Sequence, residues 1–225
     1  MAKAFPQGQN IGSPFVRLNL DTGETLKIDQ IGLNNAAGIS SLNDGFVRCD
    51  LHGSRVLRTD RDLKSWTIKN PWNARLGADG LIYVITYNGE FYSISKTNEV
   101  RLEISGLDAP FDFQFTNDGE VWITEQGQGL GRVAKWQRGL NGVFELALTS
   151  NRQWLNPEGI VTLGKKIFVL DTESEELVEV YETVETATSI SGLGMPILVK
   201  ENRQELFVYS NSYLGFPSIL VLKSK

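Results

Sequence analysis

One cysteine and one histidine stand in 225 residues. Cys49 alone excludes an intramolecular disulfide and a thiolate zinc cluster. His52 alone leaves almost nothing from which to build an imidazole metal site or a Ser-His-Asp triad. There is no block of Lys or Arg either. Twenty-two basic residues face 27 acidic ones, giving a net charge of -5 and a pI near 5.1, so the electrostatic footprint of a nucleic-acid binder is missing. The apolar runs are too short to span a bilayer, and the start "MAKAFPQGQNIGSPF" has no basic-then-apolar leader pattern. The expectation is a soluble, cytoplasmic chain without nucleic-acid or membrane partners.

What the chain does have is a repeat. Aligned on their turns, "GISSLNDGFVRCDLHGSRVLRTD" from Gly38, "NARLGADGLIYVITYNGEFYSIS" from Asn73 and "DFQFTNDGEVWITEQGQGLGRVAKW" from Asp112 are three copies. "GIVTLGKKIFVLDTESEELVEVY" from Gly159 and "PILVKENRQELFVYSNSYLGFPSILVLKSK" from Pro196 are weaker ones. Successive starts lie roughly 35 to 47 residues apart, the period of a four-stranded propeller blade. The Asp-Gly and Asn-Gly pairs predict type I′ hairpin turns, with positive φ at both central residues. Apolar residues alternate with period two. In "GLIYVITYNGEFYSIS", Leu81, Tyr83 and Ile85 take one face and Ile82 and Val84 the other, as in a strand covered on both sides.

A fourth strand per repeat is visible in "SWTIK", "VRLEI", "VFELAL" and "TATSI". The last repeat ends after three strands, while "PFVRLNLDTGETLKID" supplies an N-terminal hairpin turning at Asp21-Thr22-Gly23. A ring must not leave an open edge, so residues 15–29 are assigned to complete the last blade. The fold expected is all-β: one propeller domain over 1–225, with five four-stranded blades, or six if the hairpin begins a separate one. Residues 1–14 form an extended arm, able to tether the domain to a larger assembly. A two-sheet sandwich is the alternative, but about twenty candidate strands in similar groups favour the propeller.

Two segments carry a resemblance. "GLDAPFDFQFTNDGEVWITEQGQGLGRVAKW" resembles the blade motif of NHL-type repeats, streptogramin-lyase-like proteins and quinone-dependent sugar dehydrogenases. "NPEGIVTLGKKIFVLDTESEELVEV" resembles the same repeat and that of the gluconolactonase/senescence-marker family. The motif is structural, so the resemblance implies a fold more than an activity.

Superposing the repeats puts Ala37, Trp72, Phe111, Glu158 and Met195 at the entry to the innermost strand, which lines a propeller's channel. Gly38, Asn73, Asp112, Gly159 and Pro196 follow them. Asp50, Thr86, Glu125, Asp171 and Asn211 end the second strand. The resemblance to gluconolactonases implies a divalent cation such as Ca²⁺ at the channel mouth, with Glu158, Asp112, Asn73 and Asp171 as the matching oxygen ligands. The residues themselves carry a plainer reading, in which such carboxylates only end strands at loops.

Trp72 and Trp154 sit in loops leading into innermost strands. With Asn73 and Phe111 they make the candidate surface for a protein or carbohydrate partner. Trp122 lies mid-strand and is assigned to the core. His52 is read as an exposed turn residue and Cys49 as a buried structural thiol. The glycine-rich "QGQGLGRVAKWQRGLNGVFEL" does not match a phosphate-cradling loop, since no Lys-Ser/Thr follows; an extended hairpin is expected there. The preferred function is a non-enzymatic binding or assembly module without an organic cofactor. The alternative is a metal-dependent lactonase.

Overall fold

The computed structural model describes residues 15–18, 25–29, 33–42, 45–59, 63–181, 184–190, 195–202, 205–211 and 217–223. The proposed arm and the Asp21-Thr22-Gly23 turn lie outside them. Two compact units follow one another, 1–76 and 77–225. Among the described residues there are strands and no helix, and so none long and apolar enough to cross a membrane.

In the first unit β1 (Phe15–Leu18) pairs with β2 (Thr25–Asp29) as a two-stranded sheet. A four-stranded antiparallel meander follows: β3 (Ala36–Leu42), β4 (Gly45–Asp50), β5 (Arg55–Thr59) and β6 (Leu63–Thr67). Strand β7 (Pro71–Leu76) closes the unit and packs on β3. Gly38 permits that packing. A Cβ there would stand 2.6 Å from the Trp72 carbonyl oxygen and 2.7 Å from the Asn73 Cα, closer than non-bonded atoms can approach.

The second unit continues the pattern with β8 (Ile82–Thr86), β9 (Glu90–Ile94) and β10 (Val100–Ser105). Then come β11 (Pro110–Phe115), β12 (Val121–Glu125), β13 (Arg132–Arg138) and β14 (Phe144–Thr149) as one four-stranded sheet. The next comprises β15 (Pro157–Leu163), β16 (Lys166–Asp171), β17 (Glu176–Tyr181) and β18 (Val184–Ser189). The last has three strands, β19 (Met195–Asn202), β20 (Glu205–Asn211) and β21 (Pro217–Lys223), as the sequence implied. The glycine-rich stretch forms the hairpin β13–β14.

The period-two pattern sorts side chains between neighbouring sheets. Ile160, Ile167, Val169, Val178 and Val180 pack with Trp122, Val133 and Trp154 of the preceding sheet. Their alternating neighbours Val161, Leu170 and Leu177 pack with Ile190, Leu206 and Val208 on the other side. The sheet β15–β18 is therefore covered on both faces, which is why its strands read as nearly continuous apolar runs. All five residues of β8 are likewise buried.

The turns differ from the expected I′ type. In the hairpin at 77–81 only Gly80 has positive φ (78°). Its N–H donates to the Gly77 carbonyl at 3.0 Å, while the Gly77 N–H donates to the Leu81 carbonyl at 2.8 Å. This is a three-residue loop, a type I turn closed by one left-handed residue. The same pair of bonds recurs at Thr116–Glu120, at Gly139–Val143 and, with Asn98 in the glycine's place, at Ser95–Glu99. The Asp-Gly signal found these turns because aspartate accepts from the backbone two residues on, as Asp79 does from the Leu81 N–H at 3.0 Å.

Cys49 is fully buried, and burial pushes its thiol far above the ordinary range. His52 is exposed in the turn after β4.

Candidate functional site

The first strands β3, β11, β15 and β19 each begin with an irregularity. In β15, Pro157 pairs with Asp171 and the register resumes only at Ile160 with Val169, leaving Glu158 and Gly159 out of step. In β11, Pro110 pairs with Glu125 and the register resumes at Asp112, so that Phe111 is the extra residue. In β3, Ala36 pairs with Asp50 and the register resumes at Ile39. A bulge at a strand entry bends the strand and re-aims the side chains it carries. Three of the five entry residues picked out by the alignment, Ala37, Phe111 and Glu158, fall in these bulges.

The carboxylates that end the second strands form a repeated clamp. Asp50 accepts from the Asn34 N–H at 2.7 Å and from Arg55 Nε at 2.8 Å. Glu125 accepts from the Asp108 N–H at 2.7 Å and holds Arg132 through two parallel bonds of 2.7 Å. Burial lifts the Glu125 carboxyl above its ordinary value, against the pull of the Asp108 N–H and the Arg132 guanidinium. Asp171 accepts from the Asn156 N–H at 2.7 Å and the Leu155 N–H at 3.1 Å. All three are fully buried, and each ties the loop entering its sheet to the end of the second strand. Across the strands, Asp50 faces Arg55 and Glu125 faces Arg132, but Asp171 faces Glu176. Arg152 pairs with Glu176 there and offsets the like-charge contact.

These contacts decide how the expected cation ligands are placed. Both Asp171 oxygens serve backbone donors of the entry loop. Asp112 is buried, with Oδ1 accepting from the Phe113 N–H at 2.9 Å and Oδ2 from the Ile160 N–H at 3.3 Å, which links β11 to β15. Among the described residues no three His, Cys, Asp or Glu side chains come together as cation ligands. The carboxylate oxygens of Asp171 and Asp112 are thus committed to backbone N–H groups. Asn73 belongs to the first unit, where its Oδ1 accepts from the Ala74 N–H at 2.9 Å.

Glu158 is different. It is half-buried, and its carboxylate meets only amide donors: Asn156 Nδ2 at 3.1 Å and Gln126 Nε2 at 3.4 Å. Desolvation by burial raises its pKa above the ordinary 4.5, with the Asn156 bond pulling the other way. Its backbone carbonyl accepts from Thr124 Oγ1 at 2.9 Å, which fixes the bulge against β12. Asn156 is held in turn by Thr172 Oγ1 at 2.9 Å. Glu158 is thus a positioned carboxylate with no cationic partner among the described residues.

Because the folded pKa is the higher one, the native state disfavours ionised Glu158 more than the unfolded chain does. The cost is absent well below pH 4.5, grows as pH rises through that value, and is fully present above the folded pKa. Glu158→Gln should therefore raise the thermal midpoint at pH 7 relative to its effect at pH 4. Equal shifts at both pH values, read by calorimetry, would contradict this account.

Of the expected partner surface, one member is misplaced. Trp154 is fully buried, packed in the core with Trp122 and Val133, and its Nε1 donates to Ser150 Oγ at 2.8 Å. An isolated antiparallel bridge between Gly131 and Trp154 draws it inward. Leu130 and Leu155, the residues flanking this bridge, are 55 % and 45 % exposed. Trp72 is half-buried on β7 in the first unit, and Phe111 half-buried at the β11 bulge. Leu130, Leu155, Gln126 and Asn156 were not singled out from sequence. The signals were present in the carboxamide of Gln126 just after the second-strand acid Glu125, in Asn156 two residues before the entry residue Glu158, and in leucines next to loop Gly and Trp.

No protein-family model and no characterised protein matches the sequence. The structure does match solved ones. Virginiamycin B lyase from Staphylococcus aureus superposes with a TM-score of 0.71 at 12% identity, over 96% of this chain and 80% of that one. A gluconolactonase from Xanthomonas campestris gives 0.66 at 16%, over 84% and 72%. A chain of a nidogen/laminin complex gives 0.66 at 12%, over 87% and 80%. The chain is a β-propeller, sharing its fold with these lyase, lactonase and laminin-complex structures.

Proposed function

We propose that this chain is a non-enzymatic binding module that recognises its partner through the β12–β13 loop and the loop entering β15. The observation that carries the reading is the exposure of Leu130 and Leu155 in the two loops whose Gln126 and Asn156 cap the half-buried Glu158. An apolar contact beside an oriented acceptor suits a partner with an aliphatic group next to N–H or O–H donors. A protein segment fits better than a sugar. Sugar rings call for an aromatic platform, and the tryptophan that would have supplied one at this loop, Trp154, lies in the core. The nidogen/laminin structure is a precedent for this fold within a protein complex.

The second reading, a metal-dependent lactonase, takes its support from the gluconolactonase likeness and from Glu158, whose carboxylate lacks a cationic partner among the described residues. One experiment separates the two. Peptides selected from a random library on the immobilised full chain should lose affinity at least tenfold when Leu130 and Leu155 are both changed to Ser. Calcium titration of the chelator-treated chain should give no saturable heat. Saturable calcium binding that Glu158→Gln abolishes, together with hydrolysis of a sugar lactone, would replace the binding-module reading with the hydrolase.

A further inference from the structure

At the opposite end of the same strands, the second unit holds a cleft of about 420 Å³. It lies between the hairpin turns 77–81 and 116–120 and is walled by Phe115, Tyr83 and Arg138. The entry-end site begins at Pro110 and Pro157, so the two sites are separated by the length of a strand.

One wall is aromatic. The Tyr83 and Phe115 rings stand 4.5 Å apart at 52°, and Phe115 is only half-buried, leaving ring surface to the cleft. Gly77 keeps the wall open, since a Cβ there would lie 2.7 Å from the Tyr83 ring edge. An aromatic face turned to a cleft attracts a cation through the ring quadrupole.

The polar groups agree in sign. Arg138 is spent: it reaches Glu103 at 3.2 Å, the Gly142 carbonyl at 2.7 Å and the Tyr83 hydroxyl at 3.0 Å, and lies over the Phe144 ring at 4.2 Å. It is not available to grip an anion. Glu120 is neutralised by Lys135 at 3.0 Å. Two carboxylates have no cationic partner among the described residues. Asp79 accepts from the Tyr83 hydroxyl at 2.7 Å and the Leu81 N–H, and Asp118 is exposed with no partner among the described residues. Lys96 reaches the Gly80 corner of the turn without pairing with either.

We propose that this cleft binds a small organic cation, an ammonium or guanidinium group seated on Phe115 with N–H donors to Asp79 and Asp118. The site is independent of the entry-end reading, and its variants lie at the other end of the strands.

The test is titration of the ¹⁵N-labelled full chain with agmatine. Saturating shifts should centre on 77–81 and 115–120 and weaken as salt is added. Asp118→Asn alters an exposed, unpaired side chain, so folding should be intact while affinity falls about fivefold; Phe115→Leu should weaken binding as well. Neither succinate nor 1-pentanol should reproduce the shifts. A capped arginine amide that binds more tightly than agmatine would support the site and identify its source as a side chain of another protein. Absence of saturable shifts, equal binding of 1-pentanol, or unchanged affinity in Asp118→Asn would each overturn the proposal.

Discussion

Trp154→Ala should destabilise the chain by about 3–5 kcal/mol, read as a lowered midpoint in chemical denaturation. The indole is fully buried in a cluster with Trp122, Val133, Ile160, Ile167, Val169, Val178 and Val180, so it bridges the sheets β11–β14 and β15–β18. Truncation removes the largest fully buried side chain and leaves a hole that β strands pinned by ladder bonds cannot close. It also leaves Ser150 Oγ without the indole donor that now reaches it at 2.8 Å. Arg152, whose guanidinium carbon lies 5.3 Å from the indole ring centre, loses its platform as well. Leu155→Ala is the matched control. That side chain is 45 % exposed, and its loss should change stability by a few tenths of a kcal/mol while weakening partner binding. A Trp154→Ala protein that unfolds at the wild-type midpoint would mean that the indole does not hold these sheets together.

The contrast between Trp154 and Leu155 shows where sequence reasoning reaches its limit. Strand positions were legible because period two and the turn residues mark them from both ends. Gly38, Asn73, Asp112, Gly159 and Pro196 all fall in the first strand of a repeat, and Asp50, Thr86, Glu125, Asp171 and Asn211 each end the second strand. Loops have no period. Whether residue 154 or 155 turns inward is decided by the Gly131–Trp154 bridge, a contact between residues far apart in sequence. The carboxylates posed a related problem. Glu158 and Asp171 look alike in the chain, yet one meets side-chain amides and the other backbone N–H groups. Only the bulge between Pro157 and Ile160, which shifts the register, separates them. Turn type was misread for a local reason: Asp-Gly serves both I′ turns and type I turns followed by a left-handed glycine, and the residue before each Gly decides between them through a φ that composition does not report.

Asp171→Ala should cost about 2–4 kcal/mol, because it strips the acceptor from two backbone donors at once. The Asn156 and Leu155 N–H groups both end on this fully buried carboxylate. Alanine leaves them with neither acceptor nor easy access to water, a penalty of roughly 1–3 kcal/mol for each unmade bond. The damage should spread along the entry loop to the site. Asn156 is held by the same loop and caps Glu158, so freeing its backbone should loosen the amide that positions the carboxylate. Hydrogen exchange at Leu155 and Asn156 would report that loosening, and it should rise more than exchange in β16 and β17. Asp171→Asn keeps one acceptor and should cost about half as much. A clamp carboxylate and a cation ligand part company in a chelator experiment. With Asp171 spent on N–H donors, chelator treatment should leave the wild-type midpoint unchanged. A midpoint that falls with chelator to the level of Asp171→Ala would instead mean that the side chain works through a bound cation.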